Sequence, residues 1–129
     1  MPLPDWTLLL RTPAFEVTAL LLGLVVGSFA NVCIHRLPLG QSVVFPPSRC
    51  PRCDTLIRPW DNLPVLSWLV LRGRCRACRA PISPRYPAVE AAAGLLWLGL
   101  ALQRGPSAQT LVLMVLVSAL LVLSLIDLE

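Results

Sequence analysis

The chain has 129 residues, of which 56% are hydrophobic and 14% charged. Soluble globular domains average about half apolar and about a quarter charged residues, so the composition argues against an ordinary soluble domain. All 11 basic residues are arginine. Nine of them stand between residues 35 and 86 against two acids, Asp54 and Asp61, a formal +7 for that stretch, so the pI near 9.1 belongs to one loop and not to a uniformly basic surface.

Residues 1–16 form a mixed N-terminal segment with Pro2, Pro4 and Pro13. Residues 17–34 follow as an uncharged run of 18 residues. At about 1.5 Å per residue this run spans roughly 27 Å, close to the thickness of a hydrocarbon core, and is predicted as a first transmembrane helix. A cleaved signal peptide is the competing reading, with Ser28-Phe29-Ala30 as the small-x-small site. It would place the cysteines in an oxidising compartment and predict disulfides. The run is longer than the usual signal core, which favours the span. Cys33 within it reads as a packing thiol, and His35 as a hydrogen-bonding residue at the membrane edge.

Residues 35–87 are punctuated by prolines and glycines, which predicts turns and extended chain. Two Cys-x-x-Cys pairs lie here, Cys50-Pro51-Arg52-Cys53 and Cys75-Arg76-Ala77-Cys78, with 21 residues between Cys53 and Cys75. Two such knuckles clamp a tetrahedral zinc ion from opposite sides, and the surrounding arginines favour the thiolate form. Cys50, Cys53, Cys75 and Cys78 fill all four positions, so the predicted role is structural. A dithiol redox pair is the functional rival, but two pairs flanking one segment fit a shared metal better. Four thiolates and Zn²⁺ would lower the formal charge of the loop to about +5. Between the knuckles, Trp60 to Leu71 is predicted to hold a short helix capped by Asp61 or Asn62. It would be buried in the zinc domain or lie on the bilayer with Trp60 and Trp68 at headgroup level.

Residues 88–102 form a second apolar run interrupted near its start by Glu90, which is expected to pair with Arg85 or Arg36. Residues 103–109 form an external turn. Residues 110–129 form a third apolar run that reaches Asp127. Arg-rich short loops stay on the cytoplasmic side, which explains the basic loop better than nucleic-acid binding does. The fold class is therefore an all-α integral membrane protein with about three transmembrane helices and a cytoplasmic loop domain that binds zinc through four cysteines. Asp127 arrives at or near the cytoplasmic face. By position alone, Asp127 is an ordinary boundary acid.

The motifs together resemble a family. Gly27-Ser28-Phe29-Ala30-Asn31-Val32-Cys33-Ile34-His35-Arg36-Leu37-Pro38 is similar to the segment closing the first span of bacterial type IV prepilin leader peptidases. Cys50-Pro51-x-Cys53, Asp61-Asn62-x-Pro64-Val65-x-Ser67-Trp68, Gly73-x-Cys75-x-x-Cys78 and Ile82-Ser83-x-Arg85-Tyr86-Pro87-x-x-Glu90 follow in the family's order. The resemblance covers residues 23–129. It implies an inner-membrane aspartic peptidase that cuts prepilin and pseudopilin leaders. It also implies S-adenosylmethionine-dependent N-methylation of the new N terminus. Asp127 matches the first of the family's two catalytic aspartates; the second belongs to a Gly-x-Gly-Asp motif that these residues lack. The expectation is thus an N-terminal portion that is not peptidase-competent by itself. The implied partners are the prepilins and the lipid bilayer, with no nucleic acid, and nothing in the sequence sets an oligomeric state or a methyl-donor pocket. Two further classes stay open: a non-catalytic membrane-tethered zinc adaptor and a thiol-redox membrane protein.

Overall fold

A computed structural model describes residues 13–128. Residues 1–12 of the N-terminal segment lie outside the described residues, as does Glu129. Helix α1 runs Pro13–Arg36, α2 Leu66–Val70, α3 Arg85–Arg104 and α4 Ala108–Asp127. Short 3₁₀ turns occupy Leu37–Leu39 and Pro59–Asn62. Among the described residues there is no strand, only isolated bridges at Arg49–Leu56 and Arg74–Pro81.

Local chemistry explains the helix limits. Pro13 stands at the first helical position of α1, where its missing N–H costs nothing. Arg36 closes that helix, where positive charge suits the exposed carbonyls. Between α3 and α4 the Ser107 hydroxyl caps α4 by accepting the Thr110 N–H at 3.1 Å. The Thr110 hydroxyl donates back to the Gly105 carbonyl at 2.7 Å, and Thr110 is fully buried.

Three long helices pack as a bundle, and the tightest contact is α1 against α3. Small residues make it possible. A methyl group on Gly27 would lie 2.7 Å from the Glu90 Cα and 2.9 Å from the Ala93 Cβ, so the two backbones touch there. Gly23 sits one turn away, against Gly94 and Trp97. This Gly-x-x-x-Gly spacing lets helix backbones approach where solvent exclusion gives little help. A polar bond adds to it, from buried Asn31 to the Tyr86 carbonyl at 3.0 Å, while the Trp97 indole N–H ties α3 to α4 by donating to Ser118 Oγ at 2.9 Å. Two small apolar clusters complete the interior. One gathers Ala19, Ala101 and Met114; the other gathers Ala30, Ile34 and Val89 with Leu125 and Ile126 packed on it.

The outer faces stay apolar. Leu21, Leu22 and Val25 of α1 and Leu111, Val112 and Val115 of α4 are all exposed. By length and composition, Pro13–Leu39 and Ala108–Asp127 suffice to cross a membrane. Helix α3 has 20 residues, about 30 Å, but begins at Arg85 and carries Glu90.

The expected cap of the short helix is corrected. Asp61 and Asn62 belong to the preceding 3₁₀ turn, and α2 starts after Val65 with no side-chain cap. Asp61 is drawn away by Arg76, whose guanidinium grips both carboxylate oxygens at 2.7–3.0 Å.

Candidate metal centre and the acids around it

Each Cys-x-x-Cys pair folds into the same turn. In the first, Cys50 N–H donates to the Thr55 carbonyl at 3.1 Å and Asp54 N–H donates to the Cys50 carbonyl at 2.9 Å. In the second, Cys75 N–H donates to the Ala80 carbonyl at 2.9 Å and Arg79 N–H donates to the Cys75 carbonyl at 3.0 Å. The residue after each pair is left-handed, with φ of 58° at Asp54 and 62° at Arg79. The two knuckles are thus local copies, each closed by one bridge between its flanks.

They face one another. The four sulfurs lie within 4.8 Å, and the short distances run between knuckles: Cys50 to Cys78 at 3.7 Å and Cys53 to Cys75 at 3.8 Å. A regular tetrahedron with zinc–sulfur bonds of about 2.3 Å has an edge of about 3.8 Å. All five cysteines among the described residues are free thiols. Cys50, Cys53, Cys75 and Cys78 therefore fit Zn²⁺. The ion would supply cross-linking of the two knuckles, with no position left for a substrate.

Electrostatics prepares the set unevenly. The Thr55 hydroxyl and the Thr55 N–H pull the Cys53 thiol down to about 6. Backbone N–H groups of Cys78 and Ala77 lower Cys75. The Ala80 N–H pulls Cys78 down too, but lost solvation and hydrogen bonding with the other three thiols outweigh it and push Cys78 up to about 11. Four sulfurs this close cannot all ionise without a cation.

The centre is braced from behind. Gly73, at φ 68°, lies flat on the Trp68 ring, where a Cβ would come within 2.8 Å of it. The Trp68 indole donates to the Ile82 carbonyl at 3.1 Å, so this ring points into the loop domain, whereas Trp60 is exposed under the Arg58 guanidinium. Arg76 lowers the Asp61 carboxyl below its ordinary value by hydrogen bonding, which ties the 59–62 turn to the second knuckle.

Two acids outside the loop connect it to the helices. The arginine partner expected for Glu90 gives way to two others: its buried carboxylate accepts the Val65 N–H at 2.6 Å and a hydrogen bond from the Ser28 side chain. The Arg36 guanidinium donates to the Ser42 carbonyl and Arg85 reaches the Leu125 carbonyl. Val65 has φ 61° and ψ −49°, and Leu66 N–H closes onto the Pro64 carbonyl at 2.6 Å. That is a γ-turn of the rare, strained hand on a β-branched residue. Asp127 is exposed at the end of α4. Arg85 and the Ile34–Val89–Ile126 cluster put it at the same end of the bundle as the loop. It is no part of the thiol cluster. The Val65–Glu90 link and the Asp61–Arg76 brace were not read from the sequence. Only the spacing Gly23-x-x-x-Gly27 and the Thr two residues after Cys53 offered a signal.

The family profile described as Bacterial Peptidase A24 N-terminal domain matches residues 21–104. The chain belongs to this family. It is 50% identical over 117 residues to a protein of Myxococcus xanthus named "Prepilin leader peptidase/N-methyltransferase", covering 91% of this chain and 35% of that protein. Proteins of the same name from Stutzerimonas stutzeri and Pseudomonas putida are 44% and 46% identical. Those alignments cover 90% and 95% of this chain and 48% and 50% of the relatives. The chain thus spans about a third to a half of the curated relatives it matches. No solved structure matches it.

Proposed function

We propose that the chain forms part of a membrane aspartic endopeptidase that removes the leaders of type IV prepilins and type II secretion pseudopilins. N-methylation of the new N terminus is the companion activity. The supporting observation is sustained identity, over nine-tenths of the chain, to proteins carrying the name of both activities.

In this reading α1, α3 and α4 are three spans in the bacterial inner membrane. The +7 loop holds the knuckles on the cytoplasmic side, where the prepilin leader is presented. Asp127 is one of two acids, and the second comes from outside these 129 residues. Two carboxylates are needed because one, ionised, activates water while the other, protonated, supplies a proton to the leaving amine. Zinc on the four cysteines fixes the loop and takes no part in cleavage. The clefts beside the second knuckle are lined by Arg72, Arg74 and Arg79, which disfavour the cationic sulfonium of S-adenosylmethionine. No methyl-transfer step is therefore assigned to the described residues.

The test is Asp127→Asn in the intact protein that carries this chain, assayed on a prepilin in lipid. Cleavage should fall by at least roughly a hundredfold with zinc content unchanged. Retained cleavage would place the acid elsewhere.

A further inference from the structure

The second knuckle gathers four arginines around Cys75, and among the described residues only Arg76 is paired with a carboxylate. Arg72, Arg74, Arg76 and Arg79 line one open cleft of about 260 Å³ with Val70 and Leu71. Both acids of the loop are already engaged, Asp61 by Arg76 at 2.7 Å and Asp54 by Arg49 at 3.9 Å. Among the described residues no carboxylate reaches Arg72, Arg74 or Arg79. Arg72 and Arg79 also hold left-handed backbones, φ 55° and 62°, which side chains disfavour.

Beside this cleft, α2 turns Leu66, Leu69 and Val70 outward, 62%, 58% and 75% exposed. Positions i, i+3 and i+4 share one helical face. The inward residue is Trp68, bonded to the Ile82 carbonyl. Depth is set by the Val65–Glu90 bond. Glu90 is five residues into α3, about 7.5 Å from its start, so α2 begins level with the outer turns of the bundle. In the membrane reading of the previous subsection, on which this inference rests, that level is the boundary between headgroups and acyl chains.

We propose that α2 and the arginine cleft dock on an anionic phospholipid surface. Leu66, Leu69 and Val70 enter the acyl boundary, and Arg72, Arg74 and Arg79 bind headgroup phosphates. A soluble anion would use the guanidiniums but leave the aliphatic triad without a role. Lipid uses both, and the tether to α3 already holds them at the right height. Each guanidinium near such a surface strengthens attachment by about fivefold.

The experiment is amide hydrogen exchange on the full chain in nanodiscs of phosphatidylcholine alone and of phosphatidylcholine with phosphatidylglycerol. Residues 66–74 should exchange at least roughly tenfold more slowly with phosphatidylglycerol present. Arg72→Gln, Arg74→Gln and Arg79→Gln together should remove that difference with zinc retained. Leu66→Ser, Leu69→Ser and Val70→Ser, which leave every knuckle residue in place, should weaken it independently. Equal exchange in the two lipids, or a difference that survives the arginine variant, would overturn the proposal. So would inorganic phosphate reproducing the protection in phosphatidylcholine discs, which would mark a soluble-anion site. Amides in the middle of α1 and α4 report on the membrane reading separately. Rapid exchange there would sink that reading, whereas their protection with no lipid dependence at 66–74 would sink only the docking.

Discussion

Cys53 and Cys78 sit in one cluster yet hold their protons with opposite strength, at about 6 and about 11. Zinc binds thiolates, so near neutral pH Cys78 must release a proton on binding while Cys53 has already done so. Protons compete with the metal, and affinity falls as pH falls. Below about pH 6 Cys53 protonates as well, and the apparent zinc affinity should lose roughly a further tenfold per pH unit. Competition with a chromophoric chelator between about pH 5 and pH 8 reads this break in slope. Thr55→Val removes the hydroxyl that contributes most to the low Cys53 value and should move the break to higher pH. An unbroken slope in both proteins would mean that Cys53 is not the thiol poised for the metal. The clustering of the four thiols was legible in the sequence because Cys-x-x-Cys fixes a local turn. Their unequal proton affinities were not, because these depend on which backbone N–H groups the turn aims at each sulfur.

Helix existence was equally legible, since long uncharged runs have few other solutions. The pairing of α1 with α3 was not. It is decided by residues that add almost nothing to hydropathy: Gly23, Gly27 and Ala30 on one side, Ala93 and Gly94 on the other. Glu90 shows the same limit. An acid near the start of an apolar run suggested an arginine partner, but the sequence carries no sign that the chain doubles back in a γ-turn and offers the Val65 N–H instead. The close approach is testable. In Gly27→Ala the new methyl meets backbone at 2.7 Å, not the end of a flexible side chain, so α1 and α3 must separate. The cost should be about 1–3 kcal/mol, read as a lower thermal midpoint of the detergent-solubilised chain. Because α3 also carries Glu90, faster amide exchange at Val65 should accompany it. An unchanged midpoint would show that the helices have room to adjust.

At the scale of the molecule, charge and hydropathy divide the chain into two media. Apolar outer faces clothe α1 and α4, while nine arginines gather between residues 35 and 86, from the end of α1 to the start of α3. Translocating that segment would carry a formal +7 across the bilayer, whereas the turn after α3 offers little resistance with Arg104 alone. Orientation follows if all three long helices span: the loop and the Asp127 end of α4 share the cytoplasmic side, and residues 103–109 face the opposite side. Exposed glutamines at both ends make the arrangement measurable, Gln41 in the loop and Gln103 at the far end of α3. In intact cells whose outer membrane is permeabilised, a membrane-impermeant maleimide should label Gln103→Cys and leave Gln41→Cys unlabelled until the inner membrane is opened. Labelling of both without lysis would mean that α3 does not cross. Labelling of Gln41→Cys alone would invert the topology and move Asp127 away from the compartment in which the proposed function puts the prepilin leader, which no rearrangement of the zinc loop would repair.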